Sequence, residues 1–449
     1  MFENTNERET IIMTTTSLSA NELVLRQRRF FRTGQTKSLA YRVDALKRLR
    51  RGIEDYQQRI LDALRADLNK SEAEAYHTEI RLVLGELDYT LEHLEQWMAP
   101  RVVPTSSQIP DGTSSIHPEP YGVTLVIAPW NYPFQLAFSP VVGAISAGNT
   151  VVLKPSELTP HVSKVSSDLV RDCFPDEFVA VMEGEVETST ELLREKFDYI
   201  FFTGSTPVGK VVMRAAAEHL TPTTLELGGK SPAIVHKDAN LKKAAQSLVR
   251  GKFLNAGQTC VAPDYLLVHE DVREALLEEI GLEIASKHGE DVMQNTDFPH
   301  IVNSKNFDRL SRFLDDGEVL LGGRSDREQL MIEPTLLQGI TWDSPVMQEE
   351  IFGPILPVMT YTDLDEVLEK IVDRPKPLAL YLFTNDKAVQ EQVLGNVSFG
   401  GGCVNETLLH MSSHELPFGG VGESGMGSYH GKQSFETFSH HKSILVRGV

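Results

Sequence analysis

Residues 122–128 read Gly-Val-Thr-Leu-Val-Ile-Ala, a short β-branched run that begins after a glycine. A helical segment at 140–147 follows this run, and further β-branched runs come at 150–154 and 199–202. Strands that alternate with helices in this way predict a mostly parallel sheet with helices on both faces. The central part of the chain therefore has the pattern of an α/β domain.

A second series of the same kind follows residue 260, with strand candidates at 265–269, 355–360 and 379–384. Before the first series, apolar residues recur every three or four positions from Tyr41 to Leu64, and another long helix is predicted over 72–97. Residues 101–117 are irregular and rich in Pro, Ser and Thr. The pattern predicts the α/β class with two doubly wound domains.

Composition narrows the classes of function. The chain has 449 residues, of which 41% are hydrophobic, so it is long enough for two domains. Its formal net charge of −20 argues against a nucleic acid or an anionic membrane as partner. The three cysteines, Cys173, Cys260 and Cys403, form no C-x-x-C motif, so neither a disulfide framework nor a zinc site is expected.

The ends of the chain carry no recognisable targeting signal. Residues 1–20 are polar and rich in Thr, which predicts a disordered tail rather than a signal peptide, and Met13 is an alternative start. No apolar run approaches the roughly 20 residues that a membrane helix needs. We therefore expect a cytoplasmic protein without a transmembrane segment.

The candidate chemistry lies in two glycine-rich segments. Asn255-Ala256-Gly257-Gln258-Thr259-Cys260 places a cysteine on a small-residue turn, and Glu226 precedes Cys260 by 34 positions in Leu225-Glu226-Leu227-Gly228-Gly229-Lys230. A thiolate attacks carbonyl carbon, and a carboxylate can activate water to hydrolyse the thioester. A lone cysteine is more often a buried structural residue. Cys260 alone would favour that second reading.

Together these segments resemble the aldehyde dehydrogenase superfamily, over residues 30 to 443. In that family, E-L-G-G-K carries the general base and G-Q-x-C carries the nucleophile, which implies these roles for Glu226 and Cys260. The continuation Val261-Ala262-Pro263-Asp264-Tyr265 resembles the class 3 branch, which acts on fatty and aromatic aldehydes. Pro129-Trp130-Asn131-Tyr132-Pro133 resembles P-W-N-[FY]-P and implies that Asn131 stabilises an oxyanion. Asn131 could equally be an ordinary turn residue.

The cofactor motif is neither a P-loop nor a dinucleotide fingerprint. In Gly204-Ser205-Thr206-Pro207-Val208-Gly209-Lys210, the residue that follows, Val211, replaces the Ser or Thr of a P-loop, and Thr206 replaces the middle Gly of G-x-G-x-x-G. The segment resembles the F-T-G-S-x-x-V-G turn of the same family. That resemblance implies a Rossmann-like cofactor domain with pyrophosphate at the helix N-terminus.

The resemblance also supplies the remaining cofactor contacts. It implies that Lys154 and Glu157 bind ribose hydroxyls, and that Glu157 favours NAD while NADP remains possible. Glu350 is expected to hold the nicotinamide ribose and Phe352 to pack beside the ring. The full predicted set of cofactor-binding residues is Trp130, Lys154, Ser156, Glu157, Gly204, Ser205, Gly209, Leu227, Glu350 and Phe352.

The expected substrate-lining residues are Tyr132, His410 and Phe418. His410 and His414 are four positions apart, as two metal ligands on a helix would be, but no third ligand accompanies them, so no metal is expected. The class 3 resemblance implies that both histidines line the substrate entrance, and ordinary packing or surface exposure is an equal alternative. Cys403 is most simply a small packed side chain.

The resemblance implies NAD(P)-dependent oxidation of medium- or long-chain aliphatic or aromatic aldehydes to free acids. The presence of Glu226 argues against the branches that pass the acyl group to coenzyme A. Alternatives are a semialdehyde-specific or acylating dehydrogenase, cysteine-based acyl transfer without redox chemistry, and a non-catalytic scaffold.

The predicted domains are a cofactor domain at residues 21–101 and 121–226 and a catalytic domain at residues 227–418. A β-hairpin arm formed by residues 102–120 and 430–449 is expected to join two subunits in a homodimer.

Overall fold

The computed structural model describes residues 18–448. Most of the predicted tail, residues 1–17, lies outside that range. The first helix already includes Ala20, because Ser19 and Glu22 form a capping box in which each side chain bonds the other's backbone N–H.

The strands are β1 (Arg101–Val103), β2 (Gly112–Pro120), β3 (Val123–Ile127), β4 (Thr150–Lys154), β5 (Val179–Val181), β6 (Tyr199–Thr203), β7 (Thr223–Glu226), β8 (Pro232–Val235), β9 (Tyr265–His269), β10 (Glu318–Leu321), β11 (Ser325–Asp326), β12 (Met331–Ile332), β13 (Thr335–Gln338), β14 (Ile355–Tyr361), β15 (Ala379–Phe383), β16 (Gly401–Val404), β17 (Gly425–Met426) and β18 (Ser439–Arg447).

The α-helices are α1 (Ala20–Phe31), α2 (Leu39–Asp55), α3 (Gln57–Leu68), α4 (Glu72–Ala75), α5 (Arg81–Met98), α6 (Gln135–Ala147), α7 (Pro160–Cys173), α8 (Val186–Arg194), α9 (Thr206–Ala217), α10 (Leu241–Phe253), α11 (Arg273–His288), α12 (Ser304–Phe313), α13 (Leu364–Val372), α14 (Lys387–Asn396) and α15 (Lys432–Thr437).

The first large sheet has six strands in the order β17-β7-β6-β3-β4-β5. All its pairs are parallel except β17 with β7. The chain runs from β3 outward to β4 and β5, and then returns to place β6 on the other side of β3. The strand order thus reverses between β3 and β6, and ligands of doubly wound sheets bind in the crevice at such a reversal.

The second large sheet has seven strands in the order β10-β13-β14-β9-β8-β15-β16. Only the edge pair β10 with β13 is antiparallel. Strands β3, β4, β6, β8, β9 and β15 consist entirely of buried residues, as expected for strands covered on both faces. Two parallel sheets of this kind confirm the predicted α/β class with two doubly wound units.

A separate three-stranded antiparallel sheet has the order β1-β2-β18. The register of β18 on β2 is continuous from the pair Ser439–Pro120 to the pair Arg447–Gly112. The preceding residues of the predicted arm, Lys432–Thr437, instead form α15, which packs against α6. The C-terminal strand of the three-stranded sheet, β18, therefore begins at Ser439 and not at the predicted bound of residue 430.

Helix α6 begins at Gln135, five residues before the predicted start at 140. Its first turn is stabilised from outside, because Glu79 Oε2 accepts the N–H groups of Phe134 and Gln135 at 3.0 and 2.9 Å. Pro140 lies inside the helix although it cannot donate the usual backbone hydrogen bond. The sequence pattern predicts a helix that starts at Pro140, and the contact with Glu79 overrides that local signal.

The helix predicted over residues 72–97 is interrupted. Helix α4 ends at Ala75, a π-helical turn spans Tyr76–Ile80, and α5 continues from Arg81. A π turn inserts one extra residue into a helix and often occurs at functional sites. No helix among residues 18–448 is long and apolar enough to span a bilayer.

Candidate active site

A cavity of about 550 Å³ opens beside the reversal between β3 and β6. Its walls come from the segments that follow β3, β6 and β7, and from residues near the start of β14. Nine of the predicted site residues border it, namely Trp130, Asn131, Gly204, Ser205, Glu226, Leu227, Cys260, Glu350 and Phe352. The carboxyl ends of parallel strands thus bring these separate motifs together.

The N-terminus of α9 faces this cavity. Ser205 is the N-cap residue but its side chain makes no capping hydrogen bond, and Pro207 occupies the first turn. Backbone N–H groups at such an end are free to bind an anion. Gly209 does not border the cavity; a Cβ there would lie 2.8 Å from Leu227 Cδ2. Its contribution is to let α9 pack closely on Leu227.

Besides Gly209, three further predicted cofactor residues do not border the cavity. Lys154 is buried at the end of β4, where Nζ donates to the Pro155 carbonyl at 2.8 Å and to Glu157 Oε2 at 3.0 Å. Ser156 Oγ accepts the Leu158 N–H at 3.2 Å. Lys154 and Glu157 thus pair with each other, and all three residues lie apart from the cavity-lining set.

Glu350 and Phe352 border the cavity from the segment that precedes β14. Burial and, to a lesser extent, nearby Asp264 raise the pKa of Glu350 to about 8, although the Gly229 N–H and two lysines act in the other direction. Phe352 has a positive φ of 53° and packs edge-on against Trp130, with ring centroids 5.2 Å apart. The two aromatic residues form a corner of the cavity.

Cys260 follows a tightly wound turn after α10. Asn255, Ala256 and Gly257 have φ values of 52°, 51° and 74°, three left-handed residues in succession. A Cβ on Gly257 would lie 2.2 Å from the Gly353 carbonyl oxygen, so only glycine fits there. Gln258 braces the turn, because Nε2 donates to the carbonyls of Asn255 and His300 and Oε1 accepts the Val302 N–H.

The Cys260 thiol needs activation. Burial raises its pKa well above the ordinary value, and the carboxyl groups of Glu350 and Glu226 add to this shift. The backbone N–H groups of Cys260 and Val261 act in the opposite direction. A base or a cation that approaches Cys260 would therefore increase the thiolate fraction.

Glu226 is a buried carboxyl group at the end of β7. Neither of its carboxyl oxygens has a hydrogen-bond partner within residues 18–448, and burial raises its pKa well above the ordinary value. An unpaired buried carboxyl group is costly for stability, and strong pKa shifts of this type concentrate at functional sites. When deprotonated, Glu226 would be a stronger base than a carboxylate in water.

Asn131 is buried directly beside the cysteine turn. Its Nδ2 donates to the Gln258 carbonyl at 3.1 Å, and its own backbone carbonyl accepts from Asn255 Nδ2 at 2.8 Å. These bonds join the segment after β3 to the segment that carries Cys260. The predicted triplet of Cys260, Glu226 and Asn131 is thus brought to one place.

A second cavity, of about 440 Å³, meets the first at the cysteine. Cys260, Glu226, Leu227, Thr203 and Leu136 border both cavities. Its other walls are largely apolar and include Leu82, Leu254, Leu378, Leu408 and Met411. The thiol and the carboxyl group therefore lie where two chambers join.

Of the three predicted substrate-lining residues, Tyr132 and Phe418 border the second cavity and His410 does not. The His410 ring packs on Phe418, with centroids 6.3 Å apart, and its Nδ1 lies 3.4 Å from Cys403 Sγ. His410 thus lies behind the wall, and the structure assigns it the packing role that was the alternative expectation.

The same wall carries a polar group, of which the sequence analysis names only His414. Glu86, Tyr429, His430 and His414 all border the second cavity. Burial acts to raise the pKa of Glu86, but bonds from the His414 ring at 3.1 Å and the Gly431 N–H at 2.9 Å more than offset it. The run Ser428-Tyr429-His430-Gly431 lies close to the recognised glycine-rich segment and was the available signal.

The residues of the first cavity fit a dinucleotide. The cavity offers the open end of α9 for phosphate and an aromatic corner at Trp130 and Phe352. Thr203 Oγ1 is buried at its edge and has no partner among the described atoms. Residues 18–448 contain no group of three or more side chains that would hold a metal ion.

Comparison with known proteins agrees with this geometry. The model of the aldehyde dehydrogenase family matches residues 6–444. The chain belongs to the aldehyde dehydrogenase family. It is an oxidoreductase that uses NAD(P) to oxidise aldehydes, and relatives named as members of family 3 confirm the class 3 branch.

This aldehyde dehydrogenase is 48% identical to the 4,4'-diaponeurosporen-aldehyde dehydrogenase of Staphylococcus aureus, over 94% of this chain and 92% of the relative. It is 46% identical to the dimeric NADP-preferring aldehyde dehydrogenase of Mus musculus, over 96% and 95% of the two chains. Among solved structures, the substrate-bound state of Staphylococcus aureus AldH superposes with a TM-score of 0.95 at 46% identity, covering 97% of this chain and 95% of that one.

Proposed function

We propose that this enzyme oxidises medium- or long-chain aliphatic or aromatic aldehydes to free carboxylic acids, with Cys260 as nucleophile and Glu226 as general base. The observation that carries the proposal is that both residues border both cavities. The aldehyde would enter from the apolar chamber and the cofactor from the other. The reacting carbon would then lie between them, at Cys260 Sγ.

In this proposal the Cys260 thiolate adds to the aldehyde carbon, and the carbonyl oxygen becomes an oxyanion. The Asn131 side-chain amide has two N–H donors, of which one bonds Gln258, so the other is available for this oxyanion together with the Cys260 backbone N–H. Bound NAD(P) supplies a positively charged nicotinamide that accepts the hydride from the former aldehyde carbon, which leaves a thioester on Cys260. Glu226 then takes a proton from water, and the resulting hydroxide cleaves the thioester bond to release the acid.

The proposed cofactor contacts divide into two groups. Trp130, Gly204, Ser205, Leu227, Glu350 and Phe352 border the cavity and would bind the cofactor directly. Lys154, Ser156 and Glu157 would bind the adenosine ribose only after the Lys154–Glu157 pair opens to admit the hydroxyls. Because Glu157 is anionic, it would repel a 2′-phosphate, which favours NAD, although the mouse relative is named NADP-preferring.

The apolar second cavity supports the choice of substrate class. Leucine, methionine and aromatic side chains contribute much of its wall, and such walls favour long aliphatic or aromatic chains. The Staphylococcus aureus relative is named for an aldehyde of this apolar kind. Phe418 and Tyr132 would contact the chain of the substrate close to the reacting carbon.

The proposal extends to assembly and location. Residues 21–101 and 121–226 would form the cofactor domain and residues 227–418 the catalytic domain. The sheet of β1, β2 and β18 would serve as an arm between two subunits of a homodimer, and the mouse relative is named dimeric. We further propose that the enzyme works in the cytoplasm.

The test is a spectrophotometric assay of nicotinamide reduction with hexanal, decanal, benzaldehyde and succinic semialdehyde, using NAD and NADP in turn and no coenzyme A. We expect reduction with the apolar aldehydes, none with Cys260→Ala, and one acid formed per cofactor reduced. Preference for succinic semialdehyde would contradict the proposed substrate class. A requirement for coenzyme A would contradict hydrolysis by Glu226.

A further inference from the structure

A buried ion pair lies directly behind Asn131. Lys70 follows α3 and Glu79 belongs to the π turn; both side chains are completely buried, with Lys70 Nζ 2.5 Å from Glu79 Oε1. Lys70 Nζ also donates to the Asn131 backbone carbonyl at 3.0 Å. Desolvation of two buried charges commonly offsets their attraction, so stability alone does not account for such a pair.

The pair holds the segment around Asn131 at two points. Lys70 binds the carbonyl of Asn131, while the second oxygen of Glu79 accepts the N–H groups of Phe134 and Gln135. The backbone between these points contains the turn that directs the Asn131 side chain toward the cysteine. Movement of Lys70 or Glu79 would therefore change the direction of the Asn131 amide.

The same helical region also reaches the cysteine turn. Glu74 Oε1 accepts the Asn255 N–H at 2.9 Å, and Asn255 Nδ2 donates to the Asn131 carbonyl that Lys70 binds. Glu74 and Glu79 are five positions apart, which would separate them by about 140° around a regular α-helix. The π turn widens the helix between Glu74 and Glu79, and both carboxyl groups reach the site.

We propose that Lys70 and Glu79 are positioning residues that fix the Asn131 amide against the oxyanion formed at Cys260. This inference rests on the proposed function and adds two residues that act through Asn131 without contact with substrate. The π turn is the structural device that places Glu79 between Lys70 and the start of α6.

Two reactions of Cys260 separate positioning from general damage. Hydrolysis of p-nitrophenyl acetate without cofactor passes through an oxyanion, whereas alkylation by iodoacetamide displaces iodide from carbon and forms none. Alkylation is read at Cys260 by peptide mass spectrometry, because Cys173 and Cys403 are also free thiols. Lys70→Met, Glu79→Gln, Glu79→Leu and the Lys70→Met, Glu79→Gln double variant are compared with Asn131→Ala in both reactions.

We expect Lys70→Met and the double variant to lower ester hydrolysis and dehydrogenase kcat about tenfold, part of the roughly hundredfold effect of losing an oxyanion donor. Alkylation and the KM for decanal should stay within about twofold, since neither depends on oxyanion stabilisation. Glu79→Gln should retain more activity than Glu79→Leu, because the amide oxygen still accepts the backbone N–H groups.

The matched control is Arg42→Met. Arg42 is another buried cation, and it donates to the carbonyls of Thr36, Ser146 and Lys37 away from both cavities. The Arg42→Met variant should be less stable than the unmodified enzyme but should hydrolyse the ester at an unchanged rate. Unchanged ester hydrolysis in the Lys70 and Glu79 variants would overturn the inference, as would an equal loss of alkylation. If Asn131→Ala hydrolyses the ester at the normal rate, the oxyanion role of Asn131 in the proposed function is contradicted, whatever the Lys70 and Glu79 variants show.

Discussion

The hydroxyl groups of Tyr132 and Thr259 lie 2.6 Å apart and connect the residue after Asn131 to the residue before Cys260. Both side chains are buried, and burial raises the pKa of Tyr132 well above its ordinary value, so its hydroxyl group stays protonated. Lys70 Nζ lies 4.1 Å from the centre of the Tyr132 ring. This hydrogen bond thus adds to those of Asn131 in fixing the spacing between the proposed oxyanion donor and the proposed nucleophile.

Tyr132→Phe should lower kcat severalfold and the free energy of unfolding by about 1 kcal/mol, because it removes that hydrogen bond and leaves Thr259 Oγ1 unpaired. Thr259→Val should have a similar effect. The double variant should lose little more than either single variant, because the two changes remove one interaction. Urea unfolding and steady-state kinetics measure both quantities, and additive losses in kcat would contradict the coupling.

Glu226→Gln should separate the two halves of the reaction. Thioester formation does not need a general base for water, so a pre-steady-state burst of reduced cofactor should remain. Turnover after the burst should fall about 10²- to 10⁴-fold, the usual contribution of a general base. Stopped-flow absorbance resolves the phases, and Glu278→Gln on α11 is the control. Loss of the burst itself would assign Glu226 to an earlier step.

The buried Glu226 also predicts the pH dependence of deacylation. The base must be deprotonated, and burial raises its pKa well above the ordinary value, so the rate should fall as the pH falls through that raised pKa. The decline should therefore begin at a higher pH than for a carboxylate in water, whose pKa is about 4.3. Single-turnover hydrolysis measured against pH tests this prediction. A hydrolysis rate that stays unchanged down to pH 5 would contradict it.

The same shift predicts that Glu226→Gln stabilises the fold. A carboxyl group whose folded-state pKa is raised opposes folding at every pH above its unfolded pKa, because the unfolded chain releases the proton more easily. The variant should melt at a higher temperature at pH 7, and the gain should vanish below about pH 4. Calorimetry at several pH values measures this gain, and a lower melting temperature at pH 7 would contradict it.

Gly209→Ala should weaken cofactor binding. The added Cβ would lie 2.8 Å from Leu227 Cδ2, so α9 or Leu227 must shift, and both contribute to the first cavity. The KM for NAD should rise severalfold while alkylation of Cys260 stays unchanged. Gly395→Ala is the matched control, since it lies in α14 with no atom within 4 Å of the new Cβ. An equal effect of both changes would contradict the packing argument.

Much of this fold was predictable because local patterns and tertiary structure agree. The strands at 150–154 and 265–269 match their predicted bounds, since each is a continuous apolar run buried on both faces. Glu226, Cys260 and Asn131 meet because their motifs follow strands or tight turns at one edge of a sheet. In such folds the topology brings separate motifs together without further information.

The features of the fold and of the site that the sequence did not predict depend on contacts between residues that are far apart in the chain. Glu79 supports the start of α6 from 56 positions away, so local sequence could not place Gln135 in the helix. Whether a histidine reaches a cavity depends on side-chain direction, which explains why His414 borders the second cavity while His410 packs behind Phe418. Lys154 and Glu157 satisfy each other in this structure, and residue spacing gives no sign of that pair.

Apolar residues exposed on both faces of the three-stranded sheet lead to the last prediction. Val102, Leu445 and Val446 are 70%, 50% and 60% exposed, although they are apolar residues on or beside one antiparallel ribbon. Residues of this kind in a proposed arm would be buried by the second subunit of a dimer.

Leu445→Asp combined with Val446→Asp should therefore produce monomers, because each charge would be buried without a partner. Sedimentation equilibrium measures the mass, and Leu220→Asp, at a 90% exposed apolar residue outside the ribbon, should leave it unchanged. A monomeric unmodified enzyme, or a dimer that survives the double change, would contradict the role proposed for this sheet.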